Sequence, residues 1–161
     1  MKSLTQRLLL VALASLLLST AAVAQRKQML LGPQAGFATN NLDFFLGAQF
    51  SYPVAPQFDI YPSFDIYFPG NNFSAWTLNA EGRYWPRLNM ANPGLYVGGG
   101  LNYTHSSFSG GVLGGSRSDV GLGLLGGWDF KAVSWRPFVQ LHIVIGDADR
   151  VEFGGGVNFK L

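Results

Sequence analysis

The residues best equipped for chemistry lie close together: His105-Ser106-Ser107, followed at a short distance by Phe108, Arg117 and Asp119. On a strand, positions two apart share a face. His105 could then act as a base beside the Ser107 hydroxyl, with a carboxylate such as Asp119 orienting the imidazole, as a Ser-His-Asp hydrolase requires. Alternation nevertheless sends Asp119 to the opposite face from His105 and Ser107. The glycine-rich tract between them also leaves such a site to be ordered on binding. The expectation is no catalysis. His105, Ser107, Phe108, Arg117 and Asp119 are instead expected in and beside a surface loop, His105 to Ser118, with any partner binding at Ser106 to Asp119.

Other chemistry is sparse. There is no Cys, hence no disulfide, no thiol nucleophile and no thiolate metal ligand, and the chain has only 2 His. Asp147, Asp149 and Glu152 offer the oxygen ligands that suit Ca²⁺, but their setting reads as a solvated hairpin tip. No metal and no cofactor are expected.

The elements that must carry these residues follow a period of two, the strand signal. Phe58, Ile60, Phe64, Ile66 and Phe68 alternate with Asp59, Tyr61, Ser63, Asp65 and Tyr67. Leu78 and Ala80 oppose Asn79, Glu81 and Arg83. Leu95, Val97 and Leu101 oppose Tyr96, Gly98 and Asn102, and Val139, Leu141 and Ile143 oppose Phe138, Gln140 and His142. Val151, Phe153 and Val157 oppose Glu152, Gly154 and Asn158. Segments 29–38, 43–52 and 119–130 alternate less cleanly. Turn residues separate all eight segments. Each is about 10 residues long, enough for a tilted strand to cross a bilayer, and an even count returns both termini to one side.

Composition sharpens the choice of medium. Charged residues are 12% of the 161, about half the roughly 25% of a soluble protein, while 48% are apolar and 14% aromatic. A water-facing exterior has too little charge to draw on. Residues 1–24 read as a cleaved signal peptide: Lys2 and Arg7, the apolar run Leu8 to Leu18, then the A-x-A site Ala22-Val23-Ala24. Residues 25–161 form one domain. Removing Lys2 and Arg7 from 11 basic residues leaves 9 against 9 acidic, a net charge of zero, which gives nucleic acid no basic patch to bind.

The two faces differ as lipid and lumen differ. One carries Phe, Leu, Val, Ile and Trp with almost no charge. The other carries Gly, Asn, Gln, Ser and Tyr with scattered charges. Aromatics gather at strand ends: Tyr52, Phe58, Tyr84, Trp128, Phe130, Trp135 and Phe159 at one, and Phe37, Phe44, Phe68, Trp76, Tyr103 and Phe153 at the other. These are interfacial girdles. The expected fold is all-β, an eight-stranded antiparallel up-and-down transmembrane β-barrel. Its lumen is expected to hold a polar network of Asp59, Asp65, Glu81, Arg83, Asp129, Arg136, His142 and Glu152, with Glu81, Arg83 and Arg136 as its salt-bridge centre. Gln34, Gln49, Asn79, Asn102, Gln140 and Lys160 join them on the inward face. Aromatics on strands two to five oppose Gly121, Gly123, Gly127, Gly154 and Gly156, either as complementary packing or around a small apolar cavity.

The signal peptide, Gly94-Leu95-Tyr96-Val97-Gly98-Gly99-Gly100-Leu101, Arg136-Pro137-Phe138-Val139-Gln140-Leu141 and the closing Val157-Asn158-Phe159-Lys160-Leu161 resemble the small bacterial outer-membrane β-barrel family, OmpA/OmpX-like, along the whole mature chain. The resemblance departs at Leu161, where that family's assembly signal ends on an aromatic residue. It implies an integral outer-membrane protein of a Gram-negative cell surface, a monomer, delivered by the barrel-assembly machinery and contacting outer-membrane lipid and lipopolysaccharide. His105-Ser106-Ser107 is also faintly similar to the His-x-Ser pair of lipid A deacylases, but without the Arg and Asn that flank it there. The expected function is a non-enzymatic structural or surface-interaction role with a plugged lumen. The alternatives are a narrow porin or hydrophobic-ligand transport, and a lipid A-modifying enzyme.

Overall fold

A computed structural model describes residues 28–39, 43–69, 73–86, 94–108, 114–130 and 135–161. The expected signal peptide, residues 25–27 and the expected turn residues at 40–42, 70–72, 87–93, 109–113 and 131–134 lie outside them. The described residues form strands β1 (Leu30–Ala38), β2 (Asp43–Ala55), β3 (Phe58–Phe68), β4 (Phe73–Tyr84), β5 (Leu95–Phe108), β6 (Gly115–Asp129), β7 (Trp135–Gly146) and β8 (Arg150–Lys160). Each pairs antiparallel with its neighbour in sequence, and β1 pairs with β8, so the sheet closes into a barrel. The longest strands, β5 and β6, run unbroken for 14 and 15 residues, which leaves the count at eight.

Closure gives every strand a hydrogen-bonded neighbour on both sides, the condition for lying in lipid. Period-two sequence then decides which side chains face out. Leu101 is 57% exposed and Leu122 59%, whereas Asn102, their neighbour in the ladder, is buried. An exterior of exposed Leu, Ile, Val and Phe is unstable in water and stable in hydrocarbon. At the end away from the chain termini, Phe153, Phe37, Phe44 and Phe68 stand in cross-strand register on β8, β1, β2 and β3. The Phe37 and Phe44 rings lie 5.6 Å apart, and Phe44 and Phe68 6.2 Å. At the terminus end Tyr52, Phe58, Tyr84, Trp135 and Phe159 point outward.

The tract 105–118, expected as a loop, is largely strand. His105, Ser106, Ser107 and Phe108 pair with Ser118, Arg117, Ser116 and Gly115. The β6–β7 ladder stops at Gly121 and Gly146, so in the described ladder β6 from Gly115 to Val120 is paired with β5 alone. Here both faces meet polar surroundings, and the apolar alternation that marks a strand within lipid fades. Cross-strand polar pairs support this extension instead: Ser74 with Ser107 at 2.8 Å, and Tyr103 Oη donating to Ser118 Oγ at 3.0 Å.

The inward glycines accommodate the large inward side chains. A Cβ on Gly127 would stand 2.5 Å from the Tyr96 ring, and one on Gly123 would stand 2.6 Å from His142 Nε2. On Gly156 it would meet Phe138 at 2.8 Å, and on Gly36 it would meet Phe45 at 2.7 Å. At these positions the inward glycines are covered by large side chains, as complementary packing requires.

Candidate functional site

The lumen and the mouth opposite the termini are the places where polar groups converge. Near the terminus end, Asp59 on β3 faces Arg83 directly across on β4. Arg83 donates from Nη2 to Asp59 Oδ2 at 2.7 Å and from Nε to Oδ1 at 3.4 Å. Trp85 Nε1 donates to the same carboxylate at 3.0 Å, and Ser51 Oγ at 2.5 Å. The Arg83 guanidinium lies 3.8 Å from the Tyr61 ring centre and 4.9 Å from that of Tyr96, a cation–π enclosure for a fully buried charge. Arg136 forks onto Asp129, with Nε to Oδ1 and Nη2 to Oδ2 both at 3.0 Å.

A middle layer is neutral on one side and acidic on the other. Gln34 Nε2 donates to Asp65 Oδ1 at 2.6 Å, and Asn79 Nδ2 donates to Asp65 Oδ2 at 3.2 Å and Ser63 Oγ at 2.9 Å. Tyr61 and Tyr96 both donate to Gln140 Oε1, at 3.3 and 3.2 Å. Toward the opposite end, His142 bridges the lumen. Its Nδ1 is hydrogen-bonded to Glu152 Oε2 at 2.8 Å, and its Nε2 stands at ion-pair distance, 2.8 Å, from Glu81 Oε1. Glu152 also accepts from Tyr67 Oη and Arg150 Nε.

The expected salt-bridge centre of Glu81, Arg83 and Arg136 is thus three separate pairs. Arg83 goes to Asp59, Arg136 to Asp129, and Glu81 to His142. The reason is geometric: two of the pairs join neighbouring strands of one hairpin, and only Glu81 reaches across the barrel. Asp65 is held by hydrogen bonds from Gln34 and Asn79, and Lys160, expected inward, is exposed at the rim. Arg150 falls within the stretch Asp147 to Glu152 that reads as a solvated hairpin tip. It opens β8 and turns inward, donating from Nη1 to Thr104 Oγ1 at 2.9 Å. The tract Asp147-Ala148-Asp149-Arg150 hides this, because a lumen position is recognisable only once the start of the strand is known.

The His105 and Ser107 pair is broken apart by its own neighbours. His105 Nδ1 lies 2.9 Å from Ser118 Oγ and its ring packs 5.4 Å from Trp76, while Ser107 is bonded to Ser74. These face outward. Asp119 lies on the inward face, held by Arg117, which also stands 3.5 Å from Asp147. Phe108 ends β5, exposed. The mouth itself holds an open cavity of about 230 Å³ lined by Phe73, Ala75, Thr104, Ser106, Asp119 and Arg150 among others. No group of metal-ligating side chains forms among the described residues.

Closed antiparallel β, an apolar exterior with girdles at both rims and a polar, ion-paired interior define the class: an integral eight-stranded β-barrel of the bacterial outer-membrane type. Solved structures share the fold at low identity. The N-terminal β-barrel domain of Pseudomonas aeruginosa OprF has a TM-score of 0.66 at 15% identity, over 82% of this chain and 97% of that one. Neisserial surface protein A has a TM-score of 0.62 at 16% identity, over 83% and 96%. Ail, the attachment invasion locus protein of Yersinia pestis, has a TM-score of 0.56 at 14% identity, over 83% and 97%. Ail is also known as an outer membrane protein in a bilayer nanodisc and in complex with the heparin analogue sucrose octasulfate. No protein-family model and no curated protein matches the chain.

Proposed function

We propose that the chain is a non-enzymatic outer-membrane barrel with a plugged lumen, acting at the cell surface through the end opposite its termini. In this reading it is a monomer, seated in lipopolysaccharide and lipid and delivered by the barrel-assembly machinery. The observation that carries the reading is the pairing inside the lumen: Asp59, Asp129, Glu81 and Glu152 each meet an Arg or His. A conducting pore keeps mobile charge and open water along its axis, whereas an ion-paired network rigidifies and fills it. The extracellular end does not favour a polyanion such as the one bound to Ail. Its described charges near the mouth are Arg117 and Arg150 against Asp119, Asp147 and Asp149.

Planar-bilayer recording of refolded protein tests the plug. The expected result is no steady single-channel step, and stable ohmic conductance would replace this reading with the narrow pore.

A further inference from the structure

The tip of β6 is a sheet edge. From Gly121 onward β6 pairs with β5 on one side and β7 on the other, but residues 115–120 are paired on the β5 side alone among the described residues. Two carbonyls show which backbone groups this leaves. A Cβ on Gly146 would lie 3.2 Å from the Val120 carbonyl oxygen, and one on Gly99 would lie 2.7 Å from that of Gly123. Even-numbered residues of β6 therefore turn their N–H and C=O toward β7, and odd-numbered ones toward β5. Past the end of β7 at Gly146, Ser116 and Ser118 keep this orientation with no described strand beside them. Val120 stands directly across from Tyr103, a residue of the aromatic girdle, so the free edge starts at the membrane surface and leads away from it. Such an edge is untenable in hydrocarbon, and in water it is a template for another strand.

We infer that this edge accepts an extended, basic segment of another protein, which adds to β6 as an antiparallel strand. Length fits: residues 115–120 match a typical strand of about 5–6 residues. Direction follows from β7, which climbs toward the mouth and stops at Gly146. An antiparallel newcomer continues its line outward, whereas a parallel one would descend onto the β7–β8 turn. Charge selects the side chains. Arg117 is shared between Asp119 at 2.8 Å and Asp147 at 3.5 Å, and Asp147 is 81% exposed. Asp149, in the same turn, adds a third carboxylate, and Arg150 is already held by Glu152. A Lys or Arg placed opposite Asp119 supplies the missing positive charge, and an acidic residue there is repelled. A second copy of this chain does not fit the edge. The membrane gives β6 of every copy the same direction, from the mouth toward the termini, and two such strands cannot pair antiparallel. The inference rests on the proposed surface role of this end. Its test reads hydrogen exchange and not conductance, so either reading can fail alone.

Amide hydrogen exchange of isotope-labelled protein, refolded in detergent micelles, reads the edge residue by residue. In the free barrel Ser116 and Ser118 should exchange faster than Arg117 and Asp119, whose N–H groups face β5. The probe is an N-acetylated, C-amidated peptide, Val-Lys-Thr-Thr-Val-Thr, whose Lys falls opposite Asp119. At about ten times its dissociation constant it should slow exchange at Ser116 and Ser118 about tenfold and leave Arg117 and Asp119 unchanged. Glu in place of the Lys should weaken binding. Methylating the backbone nitrogen of the first Thr, which falls opposite Ser118, should abolish the protection. Ser116→Pro removes a donor from the free edge and none from the β5 ladder, so it should weaken binding too. The methylated peptide makes the same comparison without altering the barrel, should that variant not fold. The inference is overturned if Ser116 and Ser118 are as protected as their neighbours in the free barrel, or if the peptide leaves their exchange unchanged. It is equally overturned if the methylated or Glu-bearing peptide protects as well as the parent, or if protection appears without peptide as protein concentration rises, which would make the partner a second copy.

Discussion

Arg83 and Asp59 face each other directly across the β3–β4 ladder and are joined by a forked contact of 2.7 and 3.4 Å. Neither side chain is more than 3% exposed. Removing one partner strands a buried charge. Asp59→Ala and Arg83→Met should therefore each cost about 3–5 kcal/mol, read by urea unfolding of the refolded barrel. The double variant should cost less than the sum of the two. Strict additivity would mean that the two groups do not depend on each other.

Neighbouring glycines on β6 give a sharper test of interior packing. An added Cβ at Gly127 would run into the Tyr96 ring at 2.5 Å, whereas at Gly126 its nearest neighbour is 3.9 Å away. Gly127→Ala should destabilise by about 1–3 kcal/mol, and Gly126→Ala should be neutral or stabilise by up to about 1 kcal/mol. Equal effects in thermal unfolding would show that both the Tyr96 ring and the Val139 carbonyl oxygen, also 2.5 Å from the added Cβ, give way freely.

Depth in the bilayer sets the third expectation. Leu101→Arg should cost about 2–4 kcal/mol, as for a site near the midplane, and Phe68→Arg at the rim only about 0–1 kcal/mol. Equilibrium folding into lipid vesicles measures both. A reversed order would put the girdle of Phe37, Phe44 and Phe68 at the centre of the membrane.

Lipid A should be untouched. His105 is engaged by Ser118 and Ser107 by Ser74, while Asp119 lies on the inner side of the wall. Mass spectrometry of lipid A from cells with and without the protein should give identical spectra. Loss of an acyl chain that disappears with Ser107→Ala would make the protein an enzyme.

The fold was legible wherever the two faces of a strand meet different media. β3, β4 and the lower part of β5 separate lipid-facing Phe, Ile and Leu from inward Asp, Asn and Arg, and no other arrangement accounts for that contrast. Legibility ended where the contrast ended. At His105 to Phe108 and Gly115 to Ser118 both faces are polar, so a paired strand read as a loop. Within the lumen, the residue types were visible but their partners were not. Asp59 opposite Arg83 and His142 opposite Glu152 follow from hairpin register, which a count outward from each turn could have supplied. The contact of Glu81 on β4 with His142 on β7 depends on the stagger of the closed barrel, which no local pattern encodes.

Closure also brings the two outermost strands into one ladder, with Leu161 N–H donating to the Met29 carbonyl at 3.0 Å. The β8–β1 seam is then an antiparallel ladder like those within the hairpins. A short linker joining residue 161 to residue 29, with new ends opened at one of the turns on the same side, would give a circular permutant with the same eight-strand order around the ring. Where the chain begins is, for this architecture, a matter of synthesis and delivery and not of the folded state.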